Sequence, residues 1–182
     1  FHEEQAPNFR AYNQVYAGRD NRIWAVSLDG TSFLRLVIIR DSLIEAVSDH
    51  FDGLAGNILN IYFSRQGIIY LSTPTGLYEM TDENTLARSI LNDYEELRER
   101  ILFPRSQEAE GGLILASFSQ DGGDQQFHLY RNGILSEFSV PDEPWFENVN
   151  LIFPDSQGRT WFGNFGNGVA MYDKGSEKLN FF

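Results

Sequence analysis

The residues of this 182-residue chain that are able to do chemistry are few and scattered. His2, His50 and His128 stand at no metal-ligand spacing and read as surface or loop histidines. The absence of cysteine removes disulfides and thiolate metal sites. Asp121-Gly-Gly-Asp124 offers two carboxylates, fewer oxygen ligands than a calcium loop brings, and reads as a solvated hairpin end. Gly163-Asn-Phe-Gly166-Asn-Gly168 is glycine-rich but runs into a strand. It therefore lacks the helix N-terminus that holds a phosphate, and a β-turn widened by one residue accounts for it. No Gly-x-Ser-x-Gly elbow and no His/Cys pairing marks a nucleophile. Carboxylates are plentiful, yet no spacing singles out an acid–base pair. The expectation is a non-enzyme, with no cofactor, no metal and no catalytic residue.

Aromatic residues are the remaining candidates, through stacking. Trp24, Tyr70 and Trp161 recur at a regular interval, which makes them core wedges rather than sugar platforms. Trp145-Phe146 breaks that register, inside the linker Pro141-Asp-Glu-Pro-Trp-Phe-Glu-Asn148. Aromatics in a linker suit ligand or partner contact, and equally suit capping the junction between two repeats. Both readings stand at this point. With Asn164 and Phe165 in the widened glycine turn, these four residues are the candidate ligand-binding set: Trp145, Phe146 and Phe165 for stacking, Asn164 for hydrogen bonds to hydroxyls.

The interval itself indicates which elements carry them. Asp155-Ser-Gln-Gly-Arg-Thr-Trp-Phe-Gly163 reads as a turn followed by a strand, then a glycine reversal and a returning strand through Tyr172. Weaker copies surround Trp24, Tyr70 and Ile114, at steps of 70 − 24 = 46, 114 − 70 = 44 and 161 − 114 = 47 residues. That is the length of a four-stranded propeller blade, and one small twisted sheet must stack on copies of itself to bury its faces. The fold class expected is all-β, a β-propeller with about four four-stranded blades, near residues 9–48, 49–92, 98–140 and 145–182 of a single domain spanning 1–182. Residues 1–12 read as an incoming segment, and the strands as Asn13–Ala17, Ile23–Ser27, Phe33–Ile38 and Leu43–Val47 in the first blade. The second blade has Ile58–Phe63, Ile68–Ser72, Leu77–Met80 and Leu86–Leu91, with a turn of helix at Tyr94–Arg100 after it. Arg131-Asn-Gly133 predicts a tight hairpin in the third blade.

The formal charge is 14 − 26 = −12, so phosphate backbones and anionic membrane surfaces are repelled; neither nucleic acid nor membrane contact is expected. No apolar run approaches the ~18 residues of a membrane span. The opening Phe1-His-Glu-Glu is neither an initiator methionine nor a basic signal region, which suits a mature or trimmed product. A cysteine-free composition fits cytoplasm and bacterial periplasm alike.

Asp155, Gly158, Trp161, Gly163, Gly168 and Tyr172 resemble the body of the two-component regulator propeller repeat, and Asp52-Gly53-Leu54 with Asn57-Ile58 resembles its entry. Asp20, Ile23, Trp24 and Gly30 match it in blade one, and Gly67, Ser72, Thr73, Gly76 and Leu77 in blade two. Tyr70 and Ile114 replace the repeat's tryptophan, and only blade four keeps the glycine after it. The resemblance implies an extracytoplasmic, periplasmic sensor region of a bacterial hybrid histidine kinase, responding to an oligosaccharide or other small ligand. Members of that family usually build larger rings. An open arc of four blades would expose apolar faces, so the chain is expected to be part of a longer one or to self-associate. A propeller enzyme of lyase or hydrolase type, and a structural spacer that dimerises kinases, are the alternatives.

Overall fold

The structure, a computed structural model, describes residues 11–17, 22–28, 34–40, 43–47, 51, 54, 58–82, 84–108, 111–120, 125–139, 145–146, 149–173 and 175–182. Residues 1–10 of the expected incoming segment 1–12, the residues Asp20, Gly30, His50, Asp52, Gly53 and Asn57, and the Asp121–Asp124 pair lie outside them, while Ala11 and Tyr12 begin the first strand. Among the described residues the chain is all-β. Its strands form four antiparallel four-stranded sheets, each ordered as in the sequence, so every sheet is a meander of the propeller-blade type.

Sheet one holds β1 (Ala11–Ala17), β2 (Ile23–Leu28), β3 (Leu34–Arg40) and β4 (Leu43–Ala46). Sheet two holds β5 (Asn60–Phe63), β6 (Ile69–Thr73), β7 (Gly76–Asp82) and β8 (Thr85–Arg88). Sheet three holds β9 (Arg100–Gln107), β10 (Leu113–Ser119), β11 (Gln125–Arg131) and β12 (Ile134–Glu137). Sheet four holds β13 (Val149–Pro154), β14 (Arg159–Asn164), β15 (Gly168–Asp173) and β16 (Lys178–Phe181). The chain divides into two compact units, Phe1–Asn92 with the first two sheets and Asp93–Phe182 with the last two.

Each unit has its own core. In the first, Trp24, Val26, Leu36 and Ile38 of sheet one pack with Ile61, Ile69, Leu71 and Met80 of sheet two. In the second, Ile114, Ala116 and Phe127 of sheet three pack with Ile152, Phe162 and Ala170 of sheet four. Strand side chains alternate between faces, so these memberships fix the orientation of every neighbour. Trp24 and Ile114 face the sheet that follows them in the chain. Tyr70 and Trp161 neighbour Leu71 and Phe162, which face the preceding sheet, and so they occupy the opposite face of their own sheets. Within each unit the anchors thus follow one rule: Trp24 and Ile114 face the second sheet of their own unit, and Tyr70 and Trp161 face away from its first sheet.

The turns that lead to Tyr70, Ile114 and Trp161 also repeat one geometry. Asp155 N donates to Arg159 O (2.8 Å) and Gly158 N to Asp155 O (3.4 Å). Ser64 repeats this with Ile68 O (2.9 Å) and Gly67 N (3.0 Å), and Glu108 repeats it with Gly112 O (2.8 Å) and Gly111 N (3.0 Å). Gly67, Gly111 and Gly158 are left-handed, with φ of 86°, 90° and 79°, a conformation glycine adopts without steric cost. The rule is a hydrogen-bonding residue at i, glycine at i+3 and the anchor at i+6. Asp155 does the most: Oδ1 accepts Gln157 N (2.8 Å) and Arg159 N (3.1 Å), while Oδ2 accepts Arg159 Nε (2.7 Å) and Trp161 Nε1 (2.9 Å). The aspartate and the tryptophan of the repeat are thus one bonded unit.

Two expectations shift. The fourth strand of sheet two ends at Arg88, not Leu91, because Ile90–Asp93 forms a one-turn 3-10 helix. That turn sets the buried Asn92 against β7: Oδ1 accepts Leu77 N (2.8 Å), and Nδ2 donates to Leu77 O (2.7 Å) and Ser89 O (2.6 Å). A side-chain amide thereby replaces a strand partner. The helical turn expected at Tyr94–Arg100 is a 3-10 turn over Glu95–Leu97. Asn132 and Gly133, with φ of 52° and 78°, make the tight hairpin foreseen between β11 and β12.

Candidate functional site

Hairpin β14–β15 is where the candidate residues meet. Its ladder closes at Asn164↔Gly168, leaving Phe165-Gly166-Asn167 as the loop. The equivalent hairpin of sheet two closes at Thr73↔Gly76 around Pro74-Thr75, one residue shorter. Gly166 and Gly168 both have positive φ (96° and 84°), which turns the widened loop. The ring of Phe165 stands at its tip, 86% exposed.

Trp145 packs on this loop from the segment before β13. Its indole Nε1 donates to Asn167 O (3.0 Å), and its own carbonyl accepts a hydrogen bond from Asn164 Nδ2. The ring is half-buried and lies edge-on to Phe146 (centroids 5.1 Å) and Phe181 (5.6 Å). Phe146 is buried in the core of the second unit, edge-on to Phe162 at 5.0 Å. Phe146 thus sits inside the core between sheets three and four, and Trp145 packs half-buried against that core. Asn164 is buried, and its Oδ1 has no hydrogen-bond partner among the described residues. A buried amide oxygen left unpaired costs about 1–3 kcal/mol. The structure thus brings together Trp145, Asn164 and Phe165 at one corner of sheet four, with Phe146 as the buried ring behind Trp145. Asn167, which contributes only its carbonyl, carries no side-chain signal that a sequence reading could find.

A serine–histidine pair also emerges, invisible in the sequence because strand register creates it. Ser117 pairs with Gln126 across β10–β11, which places His128 diagonally on the same face. Ser117 Oγ and His128 Nε2 are 2.9 Å apart, and Arg100 donates from Nε to Ser117 Oγ (2.7 Å) and from an Nη to Ser117 O (3.1 Å). Burial holds the His128 imidazole below its ordinary pKa, and the Arg100 charge adds to this against the opposing pull of Glu137 and Glu96. The hydroxyl is fully buried and already accepts the guanidinium, so the trio ties β9, β10 and β11 together and offers no accessible nucleophile. No cluster of three or more metal-ligating side chains occurs among the described residues, and no helix there is long and apolar enough to cross a membrane.

Four meandering sheets with repeated turns define a β-propeller protein. No family model matches the sequence, and no curated protein is detectably similar to it. Solved structures do share the fold. One is the extracellular domain assigned to a hybrid two-component system of B. thetaiotaomicron (TM-score 0.58, 14% identity), matched over 94% of this chain and 23% of that one. Another is the extracellular domain assigned to a one-component system of the same organism (TM-score 0.54, 10% identity), over 97% of this chain and 28% of that one. A protein assigned as a gluconolactonase is similar too (TM-score 0.54, 18% identity), over 88% of this chain and 59% of that one. The chain therefore spans about a quarter of the length of the two extracellular domains. The propeller fold implied by the repeat resemblance is the fold of this chain, and it is shared with these extracellular domains.

Proposed function

We propose that the chain is a non-catalytic, extracytoplasmic sensing module of a two-component signalling protein, and that it binds an oligosaccharide or another small hydroxyl-rich ligand at the Trp145–Asn164–Phe165 corner. The observation that carries this reading is the buried Asn164 Oδ1 without a donor, beside a half-buried indole and a fully presented phenyl ring. Aromatic faces stack on the apolar faces of sugar rings, and an amide oxygen accepts from a sugar hydroxyl. The corner lies on loops held by a rigid sheet, where binding usually resides. The fold shared with extracellular domains assigned to a two-component and a one-component system supports the compartment and the sensing role.

Calorimetry against a panel of oligosaccharides tests it. Binding without turnover is expected, weakened at least tenfold by Trp145→Ala or Asn164→Ala with the fold intact. Global unfolding by Trp145→Ala would instead place that ring in the core. A propeller enzyme is the second reading, supported by the likeness to the gluconolactonase-assigned fold; product formation from any panel member, or from a sugar lactone, would decide for it.

A further inference from the structure

Among the described residues Arg105 is an arginine without an acid. Opposite β10, residue Ile114 pairs with Ser106 and Leu115 with Pro104, so Arg105 is the extra residue of a β-bulge. β9 is the edge strand of sheet three, and Pro104, unable to donate to a ladder, is tolerated at such a place. A bulge re-aims its side chain. Here the guanidinium turns onto the ring of Phe103, 5.3 Å from its centroid. Its Nε is buried and makes no hydrogen bond, and no carboxylate pairs with it among the described residues.

The company it keeps makes this unusual. The chain has 26 acidic residues for 14 basic ones, so an arginine has acids to choose from. Arg131 takes Glu108, and Arg159 takes Asp155. Arg105 alone of these is half-buried without a counter-charge, and burial is what lowers its pKa, with no carboxylate opposing the shift. A desolvated cation over an aromatic face is partly compensated by the ring quadrupole. What remains unmet is the buried Nε donor, on one edge of the planar fork whose shape binds a carboxylate through two parallel hydrogen bonds.

We propose that Arg105 anchors a second ligand site, on the edge of sheet three, that takes the carboxylate of a small acidic ligand, with Phe103 as the surface against which the guanidinium is held. The site rests on none of the residues assigned to the hydroxyl-rich ligand, so either can fail without the other.

The test is thermal unfolding and calorimetry of the whole chain with acetate, succinate and glucuronate, against chloride at equal ionic strength and glucose as the uncharged partner of glucuronate. Saturable stabilisation by a carboxylate, absent with chloride and glucose, is expected. Response to acetate and succinate marks a general carboxylate site; response to glucuronate alone marks an acid carried on a sugar. Arg105→Met should weaken that binding at least tenfold while leaving the ligand-free melting temperature equal or higher, since an unpaired buried cation is removed and the stem volume kept. Arg105→Lys, which keeps the charge and loses the fork, should bind between the two. The proposal fails if no carboxylate binds saturably, if Arg105→Met binds as well as the parent, or if Arg105→Met melts lower without ligand, which would make the side chain structural.

Discussion

Two adjacent aromatic residues, indistinguishable in the sequence, have different tasks. Phe146 fills the second core, while Trp145 packs edge-on against it and reaches the loop through its indole nitrogen. Truncating Phe146 to alanine is expected to cost about 3–5 kcal/mol in urea unfolding, the usual loss for a buried phenyl ring. A loss below about 1 kcal/mol would show that the core closes without it. His128 gives a second expectation. Its folded pKa lies below the ordinary 6.5, so the unfolded chain binds the proton more readily. The stability it contributes is complete above pH 6.5 and is lost as pH falls from there through the folded value. Urea midpoints measured from pH 8 to 5 should fall across that interval, and less steeply in His128→Gln. The capping role is one of two readings the sequence leaves open, whereas that of the histidine is not legible there: it sits at no telling spacing, and only strand register puts Ser117 and Arg100 beside it.

At the scale of the element, the recurring turn is the most informative unit. Its glycine was visible, and so were the anchors, which is why the sheets fall near their expected places. Ser64 and Glu108 were not recognised as equivalents of Asp155, since they share no chemistry with one another beyond offering backbone groups and an oxygen at the same position. The edges of strands were less legible where side chains substitute for a ladder, as Asn92 does for β7. Two glycines separate conformational from steric cost. A Cβ at Gly158 meets nothing within 4 Å, whereas at Gly76 it falls 2.6 Å from Asn92 Oδ1, the atom that accepts Leu77 N. Gly158→Ala should therefore cost roughly 1–2 kcal/mol, the penalty of a left-handed residue. Gly76→Ala should cost more, because it also displaces Asn92 from buried backbone groups. Equal melting temperatures for the two variants would contradict this difference.

For the molecule as a whole, the outer face of sheet four is the open question that the repeat raised. Leu151, Phe153 and Val169 stand 57%, 52% and 41% exposed there, around Trp161, whose ring is stacked on Phe182 at 5.8 Å. Trp24 and Ile114, on the same side of their sheets, are buried by the sheet that follows. We propose that a second copy of this chain covers the Trp161 face when the chain is studied alone. Light scattering should then show a mass that rises with concentration, reduced by Phe153→Lys; a strictly monomeric mass at high concentration would refute it. Sequence reading reached the blade and its period but not which side of each blade the anchors take, because period-2 alternation assigns faces only once pairing is known. That side has a consequence for synthesis. Trp24 and Ile114 wait for residues not yet made, so each unit has a direction in time. At about 5–20 residues per second, the 46 residues between Trp24 and Tyr70 take roughly 2–9 seconds to appear. For that interval sheet one offers an uncovered tryptophan to whatever passes, and the ribosome's pace, as much as the finished packing, decides how long each new blade stays sticky.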